Sequence, residues 1–172
     1  MRSVGRSVPA DDARTVRVDC PAGKNLYGGG YYAATFVSTV GDQDVRSSRP
    51  FDDGDSDSNS DDGWEVTSFN TQTASRTLEV YALCGPRDSS VHVGTREASG
   101  QEQKFVAKRC PGDDRVTGGG AHISGPDGNT WISSTYPRDG NDADSQRDDQ
   151  WAAYLENDTN KERPIKAYAV CR

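Results

Sequence analysis

Residues 20–30, CPAGKNLYGGG, and residues 110–120, CPGDDRVTGGG, are two writings of one segment. Cys20-Pro21 and Gly28-Gly29-Gly30 recur ninety positions on as Cys110-Pro111 and Gly118-Gly119-Gly120. Further along the offset becomes eighty-seven. Pro50, Trp64, Asn70, Arg76, Tyr81, Ala82 and Cys84 return as Pro137, Trp151, Asn157, Arg163, Tyr168, Ala169 and Cys171. From Ser47 to Cys84, 14 of 38 positions match their counterparts without a gap, so the chain is a tandem duplication. The three residues lost between Gly triplet and Pro in the second copy belong in a hairpin or loop, where a length change costs little. What the copies share is mostly scaffold; what differs between them is where a specific function resides.

The apolar content is small, at 32% hydrophobic residues with 18 Gly in 172 residues. Such an inventory favours short strands and turns held by an external staple over a helical bundle. Four Cys, one at each end of each copy, supply it as two disulfides and point to an oxidising compartment. Zinc requires close pairs such as C-x2-C, and no two of these Cys lie closer than 26 residues apart. Three pairings are possible. The pairing Cys20–Cys84 with Cys110–Cys171 is preferred because each bridge then closes one copy, contributing about 4 kcal/mol by the chain-entropy model.

Alternation supplies the strands. Thr15–Cys20 alternates, and Phe105–Cys110 is its counterpart. In the closing strand Leu78, Val80, Ala82 and Cys84 share one face, matched by Ile165, Ala167, Ala169 and Cys171. Further strands are expected at 31–40, 64–70, 122–124, 130–134 and 151–156. No window carries a helical apolar stripe long enough to specify a helix. The expected fold is all-β: two tandem pseudo-symmetric small units, sandwich- or barrel-like, each stapled by a disulfide. The expected organisation is a mobile N-terminal tail (1–14), a first repeat (15–84), a linker (85–104) and a second repeat (105–172). Within the linker Val91-His92-Val93 allows a strand and Ala98-Ser99-Gly100-Gln101 a turn.

The Gly triplets open no helix and precede no Lys-Ser/Thr, so they are read as close strand crossings with no room for a Cβ, not as phosphate loops. Trp64 and Trp151, kept in register, read as one core anchor per copy, with Asn70 and Asn157 bonding loop backbone. Trp131 has no aromatic counterpart and is the candidate exposed contact, with Tyr31, Tyr32, Tyr136 and Tyr154 similarly unmatched.

The acidic stretches are the most unusual chemistry. Residues 52–62, DDGDSDSNSDD, contain Asp52, Asp53, Asp55, Asp57, Asp61 and Asp62; residues 139–149 contain Asp139, Asp142, Asp144, Asp148 and Asp149. They read as loops that meet a basic cleft on a protein partner, or as solvated loops that aid solubility, or as hard oxygen ligands for calcium. The EF-hand pattern fails: counted from Asp53, the sixth position is Ser58 instead of Gly and the twelfth Trp64 instead of Glu. No metal site is therefore assigned, and no cofactor is expected, calcium being the one alternative kept open. The tail arginines Arg2, Arg6 and Arg14 are a second candidate contact.

A net charge of −7 argues against a nucleic-acid backbone as partner, and no stretch is apolar enough to span a membrane. Residues 1–10 lack the apolar run of a signal, so the chain reads as a mature secreted segment with a start Met. Catalysis finds no support: there are two His, no G-x-S-x-G or H-E-x-x-H, and all four Cys are taken by bridges.

The pattern C-P-x6-G-G-G, then Pro, Trp, Asn and Y-A-[LV]-C, resembles the tandem Cys/Gly-triplet/Trp repeats of small proteins secreted by streptomycetes and related actinobacteria. It covers about residues 15–172. In its general character the chain also resembles the adaptor subunit of streptomycete umbrella toxin particles. That resemblance implies a non-catalytic adaptor joining a trypsin-like-fold lectin subunit to a large toxin polypeptide, with an exposed loop entering one partner and the N-terminal tail docking on another. The candidates for those roles are residues 52–62 and 1–14. The alternative expectation is a carbohydrate- or calcium-dependent surface module with Trp131 and nearby Tyr as a stacking platform.

Overall fold

The computed structural model describes residues 1–33, 43–53, 61–125, 129–140 and 148–172. Twelve strands account for their regular structure: β1 (Arg2–Val8), β2 (Asp12–Asp19), β3 (Asn25–Ala33), β4 (Gln43–Phe51), β5 (Gly63–Asn70), β6 (Arg76–Gly85), β7 (Ser90–Ala98), β8 (Glu102–Arg109), β9 (Val116–Ile123), β10 (Thr130–Arg138), β11 (Gln150–Asn157) and β12 (Arg163–Cys171). The ladders among the described strands are antiparallel. The all-β expectation holds.

The strands form sheets of order β1-β6-β3, β10-β11-β8 and β2-β5-β4-β9-β12-β7. The pairing of the first six strands recurs in the second six: β1-β6-β3 is matched by β7-β12-β9, and β2-β5-β4 by β8-β11-β10. Only a short ladder, Ser47 to His122 and Ser48 to Ala121, joins β4 of the first copy to β9 of the second and makes the wide sheet continuous. In the first copy Val16, Val18, Trp64 and Val66 from one layer bury against Leu26, Leu78, Val80 and Ala82 from the other. In the second, Ala121, Ile123, Ile165 and Ala167 bury against Val106, Ala153 and Leu155. Side chains that alternate along each strand thus close each core from both sheets.

The disulfides are Cys20–Cys84 and Cys110–Cys171, each with a Cα separation of 5.7 Å. Each links the end of the second strand of a copy to its last strand. The Gly triplets are close crossings, as their sequence implied. A Cβ on Gly29 would collide with the Trp64 ring, and one on Gly119 with the Trp151 ring. Gly28 and Gly118 meet each other, with a Cβ on Gly118 reaching 2.8 Å from the Gly28 Cα. Trp64 is fully buried, and its Nε1 donates to Ser48 Oγ at 3.0 Å; Trp151 Nε1 donates to Thr135 Oγ1, the counterpart of Ser48.

Three expectations are corrected. Residues 2–8 are not a tail but strand β1, paired with β6 in the register Arg2 to Ala82 through Val8 to Arg76. Residues 85–104 are not a linker: β7 pairs with β12 along Ser90–Ala98, and β8 begins at Glu102. The copies therefore run from β1 to β6 and from β7 to β12, each beginning earlier than 15 and 105. Both first strands are sheet edges that bury few apolar side chains, which is why the sequence offered only Val91–Val93 of β7 and nothing of β1. The expected strands left out residues 43–51, which form β4. Of the strand expected at 31–40, residues 31–33 belong to β3, and residues 34–40 lie outside the described residues.

Candidate functional site

The ends of the acidic stretches are built into the frame. Asp62 accepts the amide of Asp53 on Oδ2 at 2.8 Å, while its carbonyl accepts Cys20 N at 2.7 Å. Asp149 repeats this with Gly140 N at 2.7 Å and Cys110 N at 2.8 Å. Asp61 binds the Asn25 side chain, and its carbonyl accepts Leu26 N at 2.9 Å. Its counterpart Asp148 meets Arg115 Nη1 at 2.9 Å. Four of the eleven singled-out Asp are thus anchors that fix each acidic stretch beside a disulfide. Asp52 and Asp53 are exposed and Asp139 half-buried. Carboxylate oxygens of Asp52, Asp53 and Asp62 lie within 4.8 Å of one another, a set that offers hard oxygens to a cation. Asp55, Asp57, Asp142 and Asp144 lie outside the described residues. At the second stretch Arg109, Arg115, Asp148 and Asp149 line a polar cleft of about 310 Å³ with the turn 112–114.

Arg2 and Arg6 stand exposed on β1, and Arg14 on β2, where its Nη1 donates to the Ser7 carbonyl at 2.6 Å. They are strand residues on a fixed framework, in place of a mobile arm.

Sequence reading missed the contrast between the outer faces of the two matching sheets. On β2-β5-β4 the rungs are Thr15–Thr67–Ser47 and Arg17–Glu65–Arg49. Glu65 is 3% exposed and held by both arginines, Arg17 Nε at 2.8 Å and Arg49 Nη2 at 2.6 Å. Arg49 Nη1 donates to the Tyr168 hydroxyl of the second copy at 3.0 Å. Burial opposes the charge of Arg49, but Tyr168 and Glu65 outweigh it and hold its pKa above the ordinary value. Thr15, Arg17, Arg49, Glu65 and Thr67 line an open depression of about 580 Å³.

On β8-β11-β10 the matching rungs read Phe105–Tyr154–Ser134 and Ala107–Ala152–Tyr136. The Phe105 and Tyr154 rings meet at a 55° tilt with 5.2 Å between centroids, and Arg138 lies over Phe105 at 5.4 Å. Trp131 pairs with Glu156 and so faces the same side as Tyr154 two residues away on β11. It is half-buried, one member of an aromatic face. One frame carries a charged face on one half and an aromatic face on the other. A comparison of outward rungs at the repeat offset would have shown it from sequence, once the strands were placed.

His122 sits beside this charged face, paired with Ser47 and Lys166. Burial, then the charges of Arg49 and Lys166, hold its pKa down to about 4, so the ring is neutral near pH 7.

No family model matches the chain. No curated protein and no solved structure matches it either.

Proposed function

We propose that this chain is a secreted, non-catalytic adaptor that joins two different proteins of an extracellular assembly. The observation that carries the reading is the divergence of the two outer faces on one duplicated frame. A duplicated binder of one partner keeps its contact residues in both copies. Here the scaffold residues are kept, while Arg17, Glu65, Arg49 and Thr67 on one face stand against Ala107, Ala152, Tyr136 and Tyr154 on the other. A rigid body with a polar charged face and an aromatic face suits two unlike partners, aromatic and arginine side chains being favoured interface anchors. Two disulfides fit an oxidising exterior, and among the described residues no helix is long and apolar enough to cross a membrane. A toxin particle, with a trypsin-like-fold lectin subunit and a large toxin polypeptide as partners, is the assembly the sequence resemblance suggests. The acidic stretches, fixed at their ends, are suited to steer a basic partner.

The test is capture from culture medium with three baits: wild type, Arg17→Ala with Arg49→Ala, and Tyr154→Ala with Tyr136→Ala. The expected result is two defined proteins on the wild type, one lost with each double variant. Capture of none at low salt, or of one protein that ignores both changes, overturns the reading. A second reading, a carbohydrate- or calcium-dependent surface module, is favoured by Trp131 for the first and the Asp52–Asp53–Asp62 cluster for the second. It predicts glycan binding that chelator abolishes.

A further inference from the structure

Among the described residues the two copies meet through the β4–β9 ladder and through the crossing of Gly28 with Gly118, where Thr117 Oγ1 donates to the Tyr27 carbonyl at 2.9 Å. Strand β4 of the first copy adds to the edge of β9 in the second, and its Ser48 carbonyl lies where a Cβ of Gly120 would be. Gly120 is therefore required by the arriving strand. Tyr168, paired with Gly120 on β12, is only 3% exposed beneath Arg49 of that same strand. Strand, small residue and arginine together cover the outer face of β9 and β12.

The duplication repeats the glycine and tyrosine of the receiving surface, with Tyr31 and Tyr32 in place of Ala121 and His122, and among the described residues no strand fills the first copy's site. In the first copy Gly30 pairs with Tyr81 as Gly120 pairs with Tyr168. Among the described residues nothing lies within 4 Å of a Cβ built on Gly30, so its glycine has no internal steric reason. Tyr81 is half-exposed, and Tyr32 and Leu83 beside it are exposed by 58% and 47%. The outer edge of β3 pairs with no described strand; its Tyr27–Gly28 end meets Thr117 and Gly118 of β9, and the part from Gly30 to Ala33 lies beyond that contact. Glu79, two residues from Tyr81 on β6 and paired with Tyr32, places a carboxylate on the same face, where the filled site has Lys166.

We propose that the open edge of β3 and the face around Gly30, Glu79 and Tyr81 receive an extended strand of a partner protein that carries a small residue followed by an arginine. The strand adds antiparallel to β3 as β4 adds to β9, its carbonyl over Gly30 and its guanidinium on Tyr81 and Glu79. The inference rests on the binding role proposed above and names one surface for it. It requires no contribution from the two faces that carry that role.

The probe is a synthetic peptide with the sequence of residues 43–51, the strand that fills the homologous site. Titrated into the 15N-labelled full chain, it is expected to shift amides of β3 and β6 around Gly30 and Tyr81. Gly30→Val should keep the wild-type circular dichroism, since the added side chain enters open space, and weaken the peptide about tenfold or more. Glu79→Gln is the second variant; it should weaken the native peptide but leave a peptide carrying Arg49→Ala unchanged. Absence of shifts on β3 at millimolar peptide, or equal affinity for wild type and both variants, overturns the inference. Captured partners that still bind Gly30→Val would place their contact elsewhere while the adaptor reading stands. Peptide binding without any captured partner would do the reverse.

Discussion

Asn70 and Asn157 show what one side chain does in a small β frame. The amide nitrogen of Asn70 lies within hydrogen-bond distance of three carbonyls, Val8 at 3.2 Å and Pro9 and Ala74 at 2.9 Å, and its Oδ1 accepts Gln72 N at 3.0 Å. Asn157 does the same for Ala98, Ser99, Lys161 and Thr159 at 3.0, 2.9, 2.8 and 3.2 Å. Each ties the connection between its copy's first two strands to the turn before its last. Replacing either by Ala leaves buried carbonyls unpaired and should cost about 3 kcal/mol by denaturant titration. Loop bonding by these residues was legible in the sequence from their recurrence; their reach back to the first strand was not, because that strand carried no pattern. His122 makes a second prediction at this scale. Its folded pKa of about 4 lies below the ordinary value of 6.5, so the unfolded chain takes up a proton as pH falls between them. Stability from this group is whole above pH 6.5 and declines towards pH 4, by on the order of 2 kcal/mol once solvent screening is allowed for. His122→Gln should flatten the part of the pH–stability curve that lies in this window. A difference curve with no slope there would refute the assignment.

Among elements, β1 is the one whose identity decides most. Its seven residues RSVGRSV offer two buried or half-buried valines, Val4 and Val8, and otherwise polar side chains and a glycine, a composition that reads as a tail. The ladder to β6 supplies what the side chains do not, since an edge strand is held by backbone bonds along one side. Deletion of residues 1–8 should therefore lower the melting temperature by several degrees, the ordinary consequence of about 1 kcal/mol or more in a domain of this size. A truly mobile tail would leave it unchanged. The Gly triplet strands teach the opposite lesson. Their glycines announced a close crossing in the sequence, and Gly29 under Trp64 and Gly119 under Trp151 bear it out. That Gly120 answers to β4 and Gly30 to nothing among the described residues depended on how the copies meet, which no local pattern encodes.

At the scale of the molecule, two disulfides close separations of 64 and 61 residues around two small cores. Loss of either, as in Cys20→Ser with Cys84→Ser, removes about 4 kcal/mol by the entropic model, a large share of the roughly 5–15 kcal/mol that a native domain possesses. Thermal unfolding should drop sharply and the two copies should lose cooperativity. The bridge pairing followed from repeat logic and holds in the structure. The outer faces stayed hidden because they are defined by pairs across strands: Arg17 with Glu65 and Arg49 lie far apart in the chain and meet only through strand register. The acidic stretches looked like the main functional chemistry, yet Asp61, Asp62, Asp148 and Asp149 have bonds that place them in the frame. What remains distinctive of the whole is one duplicated scaffold with two unlike faces. Native mass spectrometry of the complexes captured by the wild-type chain tests this most directly. The account predicts a ternary mass, one copy of this chain holding two different proteins at once, which falls to a binary mass when either face is altered. Binary complexes alone, with both partners competing for one face, would contradict it.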